Sequence, residues 1–377
     1  MLMQNEKAGL YIHIPFCLSK CAYCSFYSLA SVGLIPEYIE ALKKEIHHYR
    51  EIFSEFDTIY FGGGTPSLLN PKQIKDILST IYQTYKIDPQ SEITLEINPG
   101  DASFEYLHAL RDIGIRRVNI GVQSFDDKLL KLLGRRHSGE DALGAVDHVR
   151  KAGFENWGMD MLYGVHGQSI KQWQKELLNA VNLQPPHLSC YQLSLDPQVP
   201  LRRTYASKGW LLPGENKQRS FFFMTAETLR EAGYMHYEVS NFAKGEFLQS
   251  KHNRKYWHHV PYLGVGPSAN SFFQNRRWWN KADLKAYLQD IFNGIMPILN
   301  REKLDKEKLQ LETLFLGFRT QEGIDLWKYE KMFGTDLFQE KKTVIHSLIK
   351  KKILVLENGF LKPTLRGMAI ADSLALI

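Results

Sequence analysis

Cysteine is scarce in this chain, with four in 377 residues, and after the first three no further pair follows. That scarcity argues against two common cysteine frameworks. Structural zinc sites draw four ligands from paired Cys-x2-Cys or Cys/His groups. Disulfide scaffolds use an even cysteine set in a small secreted chain. Long apolar runs are also missing. No stretch reaches the roughly 18–20 apolar residues of a membrane span, so the chain is not expected to be an integral membrane protein. The opening MLMQNEKAG lacks a basic segment and an apolar core, so no signal peptide is expected. Charge is nearly balanced, at +6, and no basic stripe interleaved with aromatics accompanies it, so nucleic acid is not an expected partner. Lysine runs such as Lys350–Lys352 read as solvated helix faces. Tandem repeats and low-complexity tracts are missing too. What remains, 44% hydrophobic and 23% charged residues, is the composition of a globular enzyme, and reduced thiols place it in the cytoplasm.

The cysteines themselves are far from scattered. Cys17, Cys21 and Cys24 stand in C-x3-C-x2-C spacing directly after the apolar run GLYIHIPF, while Cys190 is alone and is expected to be a small buried hydrophobe. Thiolates grouped this way can wrap one face of an iron–sulfur cluster. A 4Fe-4S cubane has four irons, so three thiolates leave one iron open, and an open position marks a chemical rather than a purely structural site.

Along the chain, β-rich runs alternate with amphipathic stretches. Strands are expected at Gly9–Ile14, Thr58–Phe61, Ile93–Ile97, Arg117–Gly121, Asn156–Leu162 and His187–Leu195. Helices are expected at Pro36–Ile52, Pro71–Tyr85, Ser103–Ile113, Gly139–Ala152 and Ser169–Leu183, with Pro36 and Pro71 in first turns, where a missing N–H costs nothing. Six βα units predict an α/β fold: an incomplete (β/α)6 TIM-like barrel, expected over residues 1–235. An aromatic and histidine-rich segment, 236–300, follows. After a charged stretch, Asn300–Lys308, residues 301–377 read as a small helical, winged-helix-like cap with a hairpin at Asn358–Gly359.

The polar punctuation falls at the ends of the strands, where such barrels place chemistry. The cysteine loop follows the first strand and FGGGTP the second; Glu96, Gln123 and Asp160 close the third, fourth and fifth. Gly62, Gly63 and Gly64 permit close backbone approach to a ligand, and Thr65 adds a hydroxyl. Glu96 would be costly if unpaired in a core; a ribose diol or an ammonium group would satisfy it. Arg135 suits a forked carboxylate contact or, within GRRH, a surface position. His13 reads as a structural hydrogen-bonder beside the cysteine loop.

These motifs carry a resemblance. The three-cysteine loop with Tyr23 before its last cysteine, and GGGTP, resemble the radical S-adenosylmethionine (SAM) superfamily. The wider pattern YIHIPFC…GGGTPS…LEINP…GVQSF…MDMLYG is similar to its coproporphyrinogen dehydrogenase-like branch. The resemblance implies that Cys17, Cys21 and Cys24 hold a 4Fe-4S cluster and that SAM chelates the open iron, where reduction cleaves it to a 5′-deoxyadenosyl radical. It also implies that Tyr11, Gly63, Gly64, Thr65, Glu96, Gln123, Arg135 and Asp160 surround SAM, with Tyr23 near its adenine.

Two features choose within the branch. The decarboxylating dehydrogenases carry a further cysteine two places after the third; Phe26 stands there instead. HNRKYW, His252–Trp257, followed by YLGVGPSA, resembles the HemW-type haem chaperones. That resemblance implies haem as a third cofactor, held by His252, Asn253, Tyr256 and Trp257. It further implies an acceptor haem protein as partner, such as a membrane-bound respiratory oxidase. On physical grounds a histidine among aromatics is more often a hydrogen-bonded core or surface residue than an iron ligand, and His258 and His259 are near enough to be alternative ligands. The expected function is haem binding and transfer by a protein carrying a cluster and exchangeable SAM. The alternative is oxygen-independent coproporphyrinogen III dehydrogenase; a third reading makes the cluster a structural or redox-sensing element without SAM.

Overall fold

A computed structural model describes residues 6–377. Six strands run parallel in sequence order: β1 (Ala8–Ile14), β2 (Glu55–Gly63), β3 (Lys86–Ile97), β4 (Arg117–Gln123), β5 (Asn156–Tyr163) and β6 (His187–Gln192). Their apolar residues are buried on both faces, as in β1, where only Tyr11 is part-exposed. That pattern follows from crossover helices covering the sheet. The helices begin where their caps dictate. Asn70 with Gln73, Ser138 with Asp141, and Ser169 with Gln172 each form a reciprocal capping box. Pro71 sits at the first helical position of Pro71–Thr84.

The sheet is open rather than closed on itself. β6 pairs antiparallel with β8 (Asn241–Ala243), which pairs with β7 (Met235–Glu238). At the other edge β1 pairs parallel with β9 (Tyr262–Val265), followed by antiparallel β10 (Asn270–Phe273), β11 (Arg276–Asn280) and β12 (Ile298–Lys303). Among the described residues the result is one sheet of twelve strands. The incomplete α/β barrel therefore stands as expected, flanked by strands from the aromatic segment.

Several boundaries differ from the sequence reading. The charged stretch Asn300–Lys308 contains the end of β12 and the Asp305 cap of the helix Lys306–Gly317. Edge strands tolerate such charge, and Glu302 there pairs with Arg277 at 2.9 Å and with Lys308 at 2.9 Å. The sixth strand stops at Gln192, and two further helices, Pro200–Ser207 and Glu215–Glu231, follow it. The C-terminal unit has its own core around Phe318, Tyr329, Phe333, Ile345 and Leu361. The hairpin lies where expected, between β14 (Leu354–Glu357) and β15 (Phe360–Pro363). β15 also pairs with β13 (Ile324–Asp325).

Candidate functional site at the carboxyl ends of the strands

Backbone hydrogen bonds hold the cysteine loop against the end of β2. Gly64 N–H donates to Ile14 O at 2.8 Å and Thr65 N–H to Phe16 O at 2.7 Å. These two N–H groups are thus spent on the loop rather than offered to a ligand. A Cβ on Gly64 would lie 2.6 Å from Phe16 O, so this contact requires glycine. Gly63, at φ +105°, turns the chain over the His13 ring. His13 in turn hydrogen-bonds Tyr27 O at 2.9 Å and Tyr11 Oη at 3.2 Å, tying down the far side of the loop as expected.

All three thiols are free, and each of two receives a donor. Thr65 Oγ1 donates to Cys17 Sγ at 3.3 Å, and Arg135 Nη1 to Cys21 Sγ at 3.4 Å. Among the described residues no three His, Cys, Asp or Glu side chains converge on a point that could hold one metal ion. A single zinc would demand such convergence, whereas a cubane takes each cysteine on a separate iron.

Beyond the loop lies a cavity of about 430 Å³. Tyr23, Gly63, Gly64, Thr65, Glu96, Gln123, Arg135 and Asp160 all line it, eight of the nine residues placed around SAM from sequence. The ninth, Tyr11, lines an adjoining cavity instead. Strand register builds the carboxylate pair. Glu96 on β3 is in register with Asn119 on β4, and Asn119 Nδ2 donates to Asp160 Oδ2 at 2.7 Å. Tyr60 Oη donates to Glu96 Oε1 at 2.8 Å. Asp160 Oδ1 and Arg135 Nε have no partner among the described residues, so one acceptor and one donor remain unsatisfied at the cavity. Arg135 is part-buried and anchored on Gly121 O at 2.7 Å; its neighbour Arg136, paired with Asp101, is the surface cation. Gln123 holds a left-handed backbone at φ 68°, unusual for a side chain of its size. Tyr60, Asn119 and Tyr191 also belong to the site. Their alternation with buried neighbours was visible, but which face the strands turn to the cavity was not.

The adjoining cavity, about 530 Å³, shares Ser25, Phe26, Gly63, Glu96 and Tyr191 with the first. Phe26 is 63% exposed between the two. His252, Asn253 and Tyr256 line this second cavity; Trp257 does not. His252 is 1% exposed, with Nδ1 2.8 Å from Thr58 Oγ1 and Nε2 2.9 Å from Tyr256 Oη. Burial, with the charge of Lys255 beside it, pushes its pKa down to about 3, keeping the ring neutral.

Residues 11–178 match the radical SAM superfamily and residues 304–370 the HemN C-terminal domain. The chain is 32% identical to a Lactococcus lactis protein named heme chaperone HemW, covering 98% of this chain and 97% of that one. The chain belongs to the HemW family. A Bacillus subtilis protein of the same name is 31% identical over 91% of this chain and 92% of its own length. The Escherichia coli coproporphyrinogen III oxidase HemN shares the fold, with a TM-score of 0.85 at 22% identity, over 98% of this chain and 89% of that one. Membership in the superfamily implies a 4Fe-4S cluster and SAM, and the loop and the 430 Å³ cavity suit them. No helix among the described residues is long and apolar enough to cross a membrane.

SAM binding is expected to depend on pH through the cavity's carboxylates. Burial, and then the charge of Asp160, raise the Glu96 pKa to about 7. The ionised form is the one that attracts a cationic ligand. SAM affinity is therefore expected to fall as pH drops through 7, by up to about tenfold per unit. Equilibrium dialysis of wild type and Glu96→Gln checks this: the variant should bind weakly at every pH, with the step between pH 6 and 8 lost.

Proposed function

We propose that this protein is a haem chaperone, binding haem and passing it to an acceptor haem protein. In this reading the 4Fe-4S cluster is held by Cys17, Cys21 and Cys24 and SAM lies in the cavity beside it. Haem is handled by the segment carrying His252, Asn253, Tyr256 and Trp257. The acceptor is a haem protein such as a respiratory oxidase, met in the cytoplasm or at the membrane surface.

The observation carrying this reading is that the HNRKYW helix, Lys251–Trp257, is held at the starts of β1, β2 and β3 through Lys7, Thr58 and Glu92 and presents His252, Asn253 and Tyr256 to a cavity that shares Phe26, Gly63, Glu96 and Tyr191 with the SAM cavity. Phe26, standing between the two, is a non-ligating side chain where decarboxylating relatives have a cysteine. Bound cluster and SAM would supply one-electron chemistry or a ligand-dependent conformational signal. The chain's own part is to orient SAM through Glu96, Asp160 and Arg135 and to hold the HNRKYW helix.

Anaerobic reconstitution followed by two parallel assays tests the reading. Haem titration should give a stoichiometric Soret band, and the loaded protein should transfer haem to an apo-acceptor. Coproporphyrinogen III with SAM and a reductant should give no protoporphyrinogen. Turnover to protoporphyrinogen without haem binding would establish the dehydrogenase reading instead.

A further inference from the structure

Glu96, Asn119, Gly158 and His187 stand in register across β3 to β6. Arg117, two residues before Asn119 on β4, turns its side chain to the same inner face. Gly158 leaves the notch in which these groups meet. A Cβ there would clash with Asn119 Oδ1 and come within 3.2 Å of His187 Nδ1 and 3.3 Å of Arg117 Nη2. Side chains of β4 and β6 therefore crowd together beside the SAM cavity, which Asn119 and Asp160 line.

The same buried cluster holds the first turn of the HNRKYW helix, whose leading N–H groups have no partner within the helix. Glu92 accepts from Lys251 and His252 N–H at 3.2 and 3.1 Å, and Arg117 Nη1 lies 3.5 Å from Glu92 Oε2. Tyr237 Oη accepts from Ser250 N–H at 3.3 Å and lies 2.7 Å from His187 Nε2. A hydroxyl that accepts there has its own proton free for Nε2, which leaves the His187 proton on Nδ1, facing the notch. Burial, and then the charge of Arg117, keep that ring neutral. Lys255, by contrast, anchors the far end of the helix on Lys7 O at 2.7 Å and Asp57 at 2.7 Å.

Arg117 is thus a buried cation shared between two carboxylates. Its Nε and Nη1 make no hydrogen bond among the described residues, and neither do His187 Nδ1 and Asp160 Oδ1. No complete set of bonds locks the guanidinium in one position. Burial raises the Asp160 pKa, while its bonds to Asn119 and Ser189 and the charge of Arg117 hold it down. A positively charged occupant beside Asp160 would replace that charge and leave Arg117 to Glu92. We propose that Arg117 is a positioning residue that couples the two cavities: occupancy of the SAM cavity shifts it from Asp160 toward Glu92 and tightens the first turn of the HNRKYW helix. The proposal rests on the haem-chaperone reading for what that helix handles, and makes SAM the regulator of the segment. Coupling is reciprocal, so whatever fixes the helix turn also raises SAM affinity.

Hydrogen exchange of the full chain tests this, after anaerobic reconstitution and read by mass spectrometry with and without saturating SAM. In wild type, peptides covering Ser250–His252 should exchange about fivefold more slowly, or slower still, with SAM. Peptides over Lys255–Val260 should not change. Arg117→Met combined with Glu92→Gln removes both charges and keeps one acceptor oxygen. That double variant should lose the SAM-dependent slowing while equilibrium dialysis still shows SAM bound. Arg117→Lys, which keeps the charge without the fork, should retain part of it, and circular dichroism of both should match wild type. Slowing that survives in the double variant would overturn the proposal, as would bound SAM without slowing in wild type, or no bound SAM at all. Haem titration of the same samples separates the two readings. Slowing without a Soret band would sink the chaperone reading and leave the coupling; a Soret band without slowing would do the reverse.

Discussion

Gly64→Ala is expected to prevent cluster assembly although it removes no ligand. The added methyl would meet Phe16 O at 2.6 Å and Ile14 O at 2.8 Å, two carbonyls that accept from Gly64 and Thr65. Both are backbone atoms, so the cysteine loop itself must move away from β2. Overpacking of this kind typically costs about 1–3 kcal/mol, which a chain with this much buried core tolerates. The loop, however, carries Cys17 at its start and leans on the Thr65 hydroxyl, so displacement breaks the cluster's geometry. Iron and sulfide content after anaerobic reconstitution should fall at least tenfold, to the level of Cys21→Ala. Normal cluster content in Gly64→Ala would show that the contact between loop and glycine turn is dispensable.

The second large effect is expected far from the cysteines. Glu92 is buried on β3 and accepts from the backbone N–H groups of Lys251 at 3.2 Å and His252 at 3.1 Å, at the start of the HNRKYW helix. Its other partner is Arg117, 3.5 Å away and 2% exposed, whose Nε and Nη1 make no hydrogen bond among the described residues. Glu92→Ala leaves a buried guanidinium without its carboxylate and takes the acceptor from the first two N–H groups of the helix, Lys251 and His252. Removing one partner of a buried pair costs about 3–5 kcal/mol, a large share of the ~5–15 kcal/mol that holds a domain together. Urea unfolding should show a lowered midpoint, with Glu92→Gln intermediate because one acceptor oxygen survives. Arg117→Met in the Glu92→Ala background should recover part of the loss, since the stranded charge is then gone. No recovery would mean that the helix contacts, not the ion pair, carry the cost.

How far the sequence could be read depended on whether a signal was local. The cysteine spacing, the glycine turn and the first-turn prolines act within a few positions, and Pro36 and Pro71 stand in the first turns of their helices as expected. Six parallel strands followed from the alternation of β and helical patterns. Only their lengths shifted, as in β3, which begins at Lys86 rather than Ile93. The flanking strands β9–β12 were hidden because aromatic and charged residues mask a period-two pattern at a sheet edge.

The candidate ligands were legible in the sequence itself: three thiolates with no fourth cysteine nearby, a glycine turn, and polar groups at successive strand ends. Tertiary structure decided what each one faces. Tyr11 belongs to the second cavity because the β1–β2 register sets it opposite Tyr60. His252 and Tyr256, four residues apart, share one helix face and bond each other. Trp257 lies about 100° further round the helix and turns to the C-terminal domain. A six-residue motif that reads as one unit in sequence therefore serves two cavities, since helical phase and long-range packing, not spacing, determine direction.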